Sequence, residues 1–252
     1  MKIRIVSGSG KVRNQGLVSL AAEVEVVGEF MMTTSILETR YQIDQIANQI
    51  FLSRTISNSE AGCLISHMIA CSIKELGWVC ILEDDAEISN LQAFYEALDS
   101  ISSLEISTPT IITIHAGVGG YYKRSRAINK HFGIAKIAVL PVGCVGYIIN
   151  ERARDIVTLQ TKIVGVADWP TWSAKINFFQ LHPPVISHSG IFGTLQNSAQ
   201  HIKNLDTPAE KFFLHRIRKE VSLKRISSAG GFGGYAALVI KPWFYKKFFK
   251  LN

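Results

Sequence analysis

The chain lacks several features that would assign its class at once. None of its apolar runs reaches the roughly 18 residues of a membrane span, so we expect no transmembrane helix. The opening MKIRIVS alternates like a strand, and no secretory signal pattern follows it, which favours a cytosolic location. The four cysteines show no C-x-x-C pair or zinc-like spacing, and the seven histidines no H-x-x-x-H pair. We therefore expect reduced cysteines packed as small hydrophobic side chains, and no histidine metal site.

Acidic residues are scarce at one end of the chain. Of the 252 residues, 47% are apolar and 19% are charged, which indicates a folded domain and excludes wholesale disorder. Residues 1–202 hold 16 Lys/Arg and 17 Asp/Glu, whereas residues 203–252 hold 11 and 3. We predict one folded domain over residues 1–205 and a basic C-terminal segment over residues 206–252. The glycine-rich stretch Ser227–Ala237 is interpreted as a hinge within that segment.

The basic C-terminal segment ends in interleaved aromatic and basic side chains. These are Trp243, Phe244, Tyr245, Phe248 and Phe249, with Lys241, Lys246, Lys247 and Lys250. Shallow rings beside lysines favour attachment to an anionic membrane surface. Two alternatives are a solvated cap on the domain and a nucleic-acid-binding tail, although no recognisable RNA- or DNA-binding motif is present.

Short β-rich runs alternate with helical stretches in the first two thirds of the chain. This order predicts an α/β fold with a largely parallel central sheet. The predicted strands are Lys2–Val6, Val24–Val27, Trp78–Leu82, Thr110–Ile114 and Gly146–Ile149. A helix is predicted to begin after Ser57, which with Glu60 forms a capping box, and to stop at Gly77.

The run I-L-E-D-D-A (Ile81–Ala86) is the most informative stretch. A buried strand there ends in Glu83, Asp84 and Asp85, at the edge where open α/β sheets place their ligands. If the strand persists, Glu83 and Asp85 share one side and Asp84 faces the other. Clustered carboxylates are hard oxygen ligands that favour Mg²⁺ or Mn²⁺. The alternative is a set of solvated acids preceding a helix capped by Ser89 or Asn90.

Two further residues are candidates for chemistry. His67 lies beside the apolar stripe of the predicted helix, either as a ligand or as a hydrogen-bonded core residue. Asp168, in V-A-D-W-P (Val166–Pro170), is an isolated carboxylate among aromatic residues. Its pKa could be raised for general-base work, or it could cap a helix with Pro170 at the first helical position.

These residues together suit glycosyl transfer from a sugar nucleotide. A divalent ion would neutralise the departing diphosphate, and a carboxylate would deprotonate the acceptor hydroxyl. Trp169 and Trp172 could offer flat faces to sugar rings. Metal-dependent phosphoester hydrolysis is a rival, although no second metal site or activated nucleophile is evident. A non-catalytic nucleotide- or glycan-binding protein is a further alternative.

At these residues the chain resembles family 25 glycosyltransferases, which include bacterial lipooligosaccharide galactosyltransferases and collagen galactosyltransferases. The stretches that carry the resemblance are E-A-G-C-L-I-S-H-M (Glu60–Met68), W-V-C-I-L-E-D-D-A (Trp78–Ala86), V-G-C-V-G-Y-I-I-N-E-R-A (Val142–Ala153), V-A-D-W-P (Val166–Pro170) and Q-L-H-P-P (Gln180–Pro184). They cover residues 1–205 in the right order, which is more specific than any single match.

The resemblance implies a GT-A-like fold, a UDP-sugar donor, usually UDP-galactose, and Mn²⁺ or Mg²⁺. A variant DxD motif falls on Glu83, Asp84 and Asp85 as metal ligands. Asp168 matches the family's later acid, for which the resemblance implies a metal-binding or catalytic role. Candidate residues for donor or substrate binding are Glu60, His67, Arg13, Trp169 and Gly143. Gly143 and Gly146 match a small-residue turn and strand, for which close packing is the alternative.

The sequence therefore predicts a metal-dependent glycosyltransferase that moves a sugar, galactose by default, from a UDP-sugar to a surface glycan. By analogy with the bacterial relatives, the reaction would invert the anomeric centre. A lipid-linked oligosaccharide acceptor would place the enzyme at the cytoplasmic face of the inner membrane, held there by the C-terminal segment. Two stretches depart from the family pattern, V-S-G-S-G-K-V-R (Val6–Arg13) and T-I-H-A-G (Thr113–Gly117).

Overall fold

The structure of the chain is a computed structural model. The structure describes residues 1–7, 17, 20, 24–27, 41–52, 54–115, 125–137, 143–167 and 170–188. The predictions made for Arg13, Asp168, Trp169 and the basic C-terminal segment lie outside these residues.

The described residues form short strands that alternate with helices. The strands are β1 (Lys2–Val6), β2 (Val24–Val27), β3 (Gln42–Ile43), β4 (Val79–Glu83), β5 (Ala86–Ile88), β6 (Thr110–Thr113), β7 (Arg126–Ala127), β8 (Gly133–Lys136), β9 (Gly146–Ile149), β10 (Lys162–Ile163), β11 (Asn177–His182) and β12 (Ile186–His188). The α-helices are α1 (Gln45–Leu52), α2 (Asn58–Ser72), α3 (Leu91–Ser102) and α4 (Glu151–Thr158), and a 3₁₀-helix spans Thr171–Lys175. All five predicted strands are present, with shifts of at most one residue at their ends.

Eight strands form one sheet in the order β2-β1-β4-β9-β6-β11-β8-β7. The pairs β2–β1, β1–β4 and β6–β11 are parallel. β9 runs antiparallel to both of its neighbours, and β8 does so between β11 and β7. Six of the eight strands therefore point the same way, and the predicted mixed α/β fold with a mostly parallel central sheet is confirmed.

Alternating side chains of the sheet form two hydrophobic layers. One face of β4 places Val79 and Ile81 against residues of α2 and α4. The other face places Cys80 and Leu82 against α3, whose Phe94 is fully buried. This is the period-2 pattern of a strand buried on both faces. Because Glu83 continues the series of Val79 and Ile81, its side chain faces the layer that contains α2.

Helix α2 begins as predicted and ends earlier than predicted. Ser57 accepts a hydrogen bond from the backbone N–H of Glu60, whose carboxylate in turn accepts one from the Ser57 backbone. The helix stops at Ser72, and Ile73 is already extended, so the predicted stop at Gly77 was wrong. The carbonyls of Ile73 and Gly77 instead accept hydrogen bonds from a guanidinium on α4. Gly77, with φ of 72°, forms the turn into β4.

Within the described part of the chain, none of the helices combines the length and hydrophobicity that a membrane span requires.

Candidate active site

Polar side chains follow three parallel strands, β1, β4 and β6, at the carboxyl edge of the sheet. Ser7 follows β1, the pair Asp84–Asp85 follows β4, and His115 lies two residues beyond β6. β1 and β4 are adjacent and parallel, with Val6 paired to Glu83, so their ends meet. Helix α2 reaches this edge, because its His67 Nε2 lies 3.3 Å from Glu83 Oε1 at the end of β4. The edge is where open α/β sheets bind ligands.

Glu83 is the last residue of β4, and its carboxylate is turned toward α2. One carboxylate oxygen, Oε1, accepts a hydrogen bond from the Cys144 thiol at 2.9 Å. The same oxygen lies 3.3 Å from His67 Nε2. The Glu83 side chain is 23% exposed, so this carboxylate is largely enclosed by a thiol and an imidazole.

Asp84 is buried between the ends of β1 and β4. Its Oδ2 accepts a hydrogen bond from the Ser7 hydroxyl at 2.9 Å, and its backbone N–H donates to the Val6 carbonyl at 3.0 Å. Only 3% of the residue is exposed. Asp84 therefore fixes the turn that follows β4.

Asp85 completes that turn and is half-buried. Its Oδ1 is shielded from solvent. Because β4 ends at Glu83, the strand does not persist to Asp85, and the predicted sharing of one side by Glu83 and Asp85 does not arise from strand geometry. The next residue begins β5, which pairs with β12 and so brings Ile186–His188 alongside this turn.

The structure does not gather the three predicted metal ligands into one cluster. Among the residues that it describes, the ligand atoms of Cys63, His67 and Glu83 lie within 4.8 Å of one another. Of the three acids, Glu83 therefore belongs to a cluster under α2, while Asp84 and Asp85 occupy the turn.

His67 is buried and hydrogen-bonded on both ring nitrogens. Its Nδ1 lies 3.1 Å from the Tyr147 hydroxyl, and the two rings stack with centroids 5.8 Å apart. Burial raises the pKa of Tyr147 well above its ordinary value, and neighbouring Cys71, Cys144 and Glu83 raise it further. The phenol therefore stays protonated and can donate to or accept from the imidazole. His67 is a core residue and also a neighbour of Glu83.

Glu60, which was predicted to bind the sugar donor, lies on α2 one turn before Cys63 and is already paired with other residues. Its carboxylate pairs with the Arg54 guanidinium and closes the α2 capping box. Burial raises the pKa of Glu60, but hydrogen bonds from Arg54 and from the Ser57 backbone outweigh burial and leave that pKa below its ordinary value. Glu60 is thus an ionised cap at the start of α2 and is not part of the Glu83 cluster.

The two glycines before and in β9 have different roles. Gly143 has φ of 84°, a conformation that favours glycine, and an added Cβ would lie 4.0 Å from His115 Nε2. At Gly146 an added Cβ would come within 3.2 Å of Leu82 Cδ2. Gly146 is therefore explained by close packing, whereas Gly143 forms the turn that delivers Cys144 to Glu83.

Trp172 was predicted to offer a flat face to a sugar ring, but the structure buries it. It lies in the 3₁₀-helix, is 9% exposed and packs in the core layer that contains α2. It therefore offers no open face to a sugar ring. Pro170 immediately precedes this 3₁₀-helix instead of occupying its first position.

Sequence reasoning missed Cys63, Cys144 and Tyr147 as site residues. Cys63 and His67 are four residues apart on α2 and hence on one face, a spacing that could have identified the pair. Cys144 and Tyr147 approach through the pairing of β9 with β4, which no local pattern reveals. The expectation of packed, reduced thiols is confirmed for Cys71 and Cys80, which are buried and form no disulfide. Burial also raises the pKa of Cys71 to about 12 and that of Cys80 still further.

A mostly parallel central sheet with helices packed on both faces defines an α/β protein, a class in which ligands commonly bind at the carboxyl edge of the sheet. The profile of glycosyltransferase family 25 (LPS biosynthesis protein) matches residues 31–168. This match covers more than half of the 252 residues, and the chain belongs to that family. It is accordingly a glycosyltransferase of the LPS biosynthesis class.

Comparisons with other known proteins add little. No curated protein matches the chain. One similar solved structure is a candidate glucose-1-phosphate thymidylyltransferase from Bacillus anthracis in complex with a sucrose, with a TM-score of 0.37 and 10% identity over 83% of this chain and 98% of that one. Another is the inositol-1-phosphate CTP transferase from T. maritima, with a TM-score of 0.37 and 10% identity over 90% and 97%. Likeness at this level carries no argument about fold or function.

Proposed function

We propose that this glycosyltransferase has a GT-A-like fold and transfers a sugar, galactose by default, from a UDP-sugar to a lipid-linked oligosaccharide. The observation that carries the proposal is the position of Asp84 and Asp85. They form the turn after β4, at the carboxyl edge of the sheet, in a chain of glycosyltransferase family 25. A donor diphosphate bound at such an edge would carry negative charge that a divalent cation can neutralise, and these carboxylates would supply the ligands of that cation.

The residues of the turn fit a divalent ion such as Mn²⁺ or Mg²⁺. Asp85 is half-buried with one oxygen shielded from solvent, and Asp84 is fixed by Ser7. These are hard oxygen donors on a rigid turn, which suits such an ion better than mobile surface acids do. Asp85 would be the principal ligand and Asp84 its support, whereas Glu83 is turned to α2. A bound ion would neutralise charge on the departing diphosphate.

The remaining roles belong to residues of the chain that carry the family resemblance. Asp168 would take the proton from the acceptor hydroxyl as the new bond forms. Trp169 would stack on a sugar ring, and Arg13 would contact the donor base. These three assignments, and an inverting outcome, are proposals from the resemblance.

The test is UDP release by the full chain from a panel of UDP-sugars, with Mn²⁺, with Mg²⁺ and after chelation. We expect slow hydrolysis of one donor, UDP-galactose by default, that needs the metal and identifies the sugar. Calorimetry with UDP and Mn²⁺ complements this assay, because an enzyme that demands its acceptor still binds the nucleotide. Binding without turnover, even with oligosaccharide acceptors, would indicate a non-catalytic relative. No binding at all would overturn the proposal.

We also propose that the basic C-terminal segment holds the enzyme at the cytoplasmic face of the inner membrane. The support is its charge, 11 Lys/Arg against 3 Asp/Glu over residues 203–252, and its interleaved aromatic rings. Removing residues 227–252 should weaken co-sedimentation with anionic vesicles and leave donor turnover unchanged. Vesicles without anionic lipid serve as the control. A truncated chain that sediments as well as the whole would show that the segment does not attach to membranes.

A further inference from the structure

A compact cluster of metal-binding side chains lies beneath α2, beside the proposed donor site. The Cys63 sulfur, His67 nitrogen and Glu83 carboxylate lie within 4.8 Å of one another. Cys144 joins them, with its sulfur 2.9 Å from Glu83 Oε1 and 3.5 Å from His67 Nε2. The His67 imidazole and the Glu83 carboxylate thus each lie near two sulfurs, those of Cys63 and Cys144.

This set of donors differs in chemistry from the turn that follows β4. Thiolate and imidazole ligands suit Zn²⁺, which binds four such groups in a tetrahedron, whereas Mn²⁺ and Mg²⁺ prefer oxygen. Asp84 and Asp85 offer carboxylates alone. The two clusters therefore select different ions, although Glu83 is next to Asp84 in the chain.

The imidazole is already oriented by a second residue. His67 directs Nε2 toward Glu83 and Cys144, while Nδ1 meets the Tyr147 hydroxyl at 3.1 Å. With Nδ1 protonated and donating to Tyr147, Nε2 presents its lone pair to an ion. Zinc-binding histidines are held in this way by a partner on the other ring nitrogen.

The ligands also come from elements whose positions are fixed by the core. Cys63 and His67 lie one turn apart on α2, Glu83 ends β4, and Cys144 precedes β9. β4 and β9 are hydrogen-bonded neighbours, and the Glu83 backbone N–H donates to the Val145 carbonyl at 2.9 Å. Cys63, His67 and Glu83 are therefore already close together, and Cys144 lies within 3.5 Å of two of them.

We propose that Cys63, His67, Glu83 and Cys144 bind one Zn²⁺ ion, which braces α2 against β4 and the Gly143 turn. This site goes beyond the proposed sugar transfer and is separate from the Mn²⁺ or Mg²⁺ ligands Asp84 and Asp85. Binding releases the two thiol protons to solvent, including the one that Cys144 donates to Glu83. The ion would stabilise the carboxyl edge of the sheet, where the proposed donor site lies.

The test uses the full chain, stripped with a chelator and titrated with Zn²⁺ against a chromophoric competitor. We expect one Zn²⁺ per chain and an affinity about 100-fold lower in Cys63→Ala, which loses a ligand. The matched control is Cys80→Ala, because Cys80 is fully buried on the opposite face of β4. Its zinc affinity should equal that of the unmodified chain. Tyr147→Phe, which removes the positioning hydroxyl, should lower the affinity about tenfold.

Co²⁺ provides a readout that does not depend on activity. Its complex should show the sulfur-to-metal charge-transfer absorption of a tetrahedral thiolate site, weakened in Cys63→Ala and in Cys144→Ala. Asp85→Asn should leave zinc affinity unchanged while impairing UDP and Mn²⁺ binding, which separates this site from the donor site. The proposal is overturned if the unmodified chain binds no Zn²⁺, if Cys63→Ala binds it equally well, or if the Co²⁺ spectrum lacks thiolate bands.

Discussion

Asp85→Asn is expected to lower metal-dependent donor turnover about 1000-fold, which is about 4 kcal/mol of transition-state stabilisation. The amide has nearly the same size, so the turn between β4 and β5 should fold as before. The amide lacks the negative charge of the carboxylate, so it holds a divalent ion more weakly. The measurement is UDP release at saturating Mn²⁺ for the full chain and the variant, together with Mn²⁺-dependent UDP binding by calorimetry.

Two neighbouring acids serve as controls for Asp85→Asn. Glu87 is exposed on β5, two residues away, and Glu87→Gln should change turnover by no more than about twofold, as exposed charges do. Glu83→Gln should lower turnover by about tenfold or less, because Glu83 faces His67 and Cys144. If Glu83→Gln abolished turnover while Asp85→Asn kept more than a tenth of it, the donor-site metal would lie on the α2 side.

Much of the site is readable from the sequence because its central motif is local. A buried strand followed by three acids identifies the carboxyl edge, and the Ser57–Glu60 box identifies the helix that lies over it. The sequence does not reveal which of the three acidic side chains faces α2 and which belong to the turn after β4. Glu83 obeys the strand alternation and turns to α2, whereas Asp84 is held by Ser7, 77 residues away in sequence. Such long-range contacts leave no local pattern.

The fold shows the same division between local and long-range information. Strand positions follow from runs of β-branched and aromatic residues, so the predicted strands are all found within one residue. The antiparallel insertion of β9 between β4 and β6 could not be predicted, since it depends on pairing with β4 across more than 60 residues and with β6 across more than 30. The predicted end of α2 was wrong because it too depends on long-range contacts. Gly77 was predicted to stop the helix, but α2 ends at Ser72. Arg4 of β1 binds a carbonyl in its last turn, and Arg154 of α4 binds carbonyls just beyond its end.

Arg154→Met is expected to destabilise the folded chain by about 3 kcal/mol. Helix α2 has no basic residue in its own last turn. Its end is instead bound by Arg4 of β1, which donates to the Ala70 carbonyl at 2.9 Å, and by Arg154 of α4. The Arg154 guanidinium donates to the carbonyls of Ile73, Glu75 and Gly77. Burial lowers the pKa of Arg154, as does the nearby Arg4, but a guanidinium stays protonated at neutral pH.

Methionine has a similar length and fills most of the same space, so the loss comes chiefly from carbonyls left without their charged donor. The measurement is urea unfolding of both chains, in which the midpoint should fall with an unchanged slope. Arg152→Met is the matched control, because Arg152 is exposed on the same helix and its replacement should change stability by less than about 0.5 kcal/mol. Equal midpoints for the two variants would contradict the assignment. The consequence reaches the site, since the helix that Arg154 anchors also carries Cys63 and His67 to the edge where Glu83 ends β4.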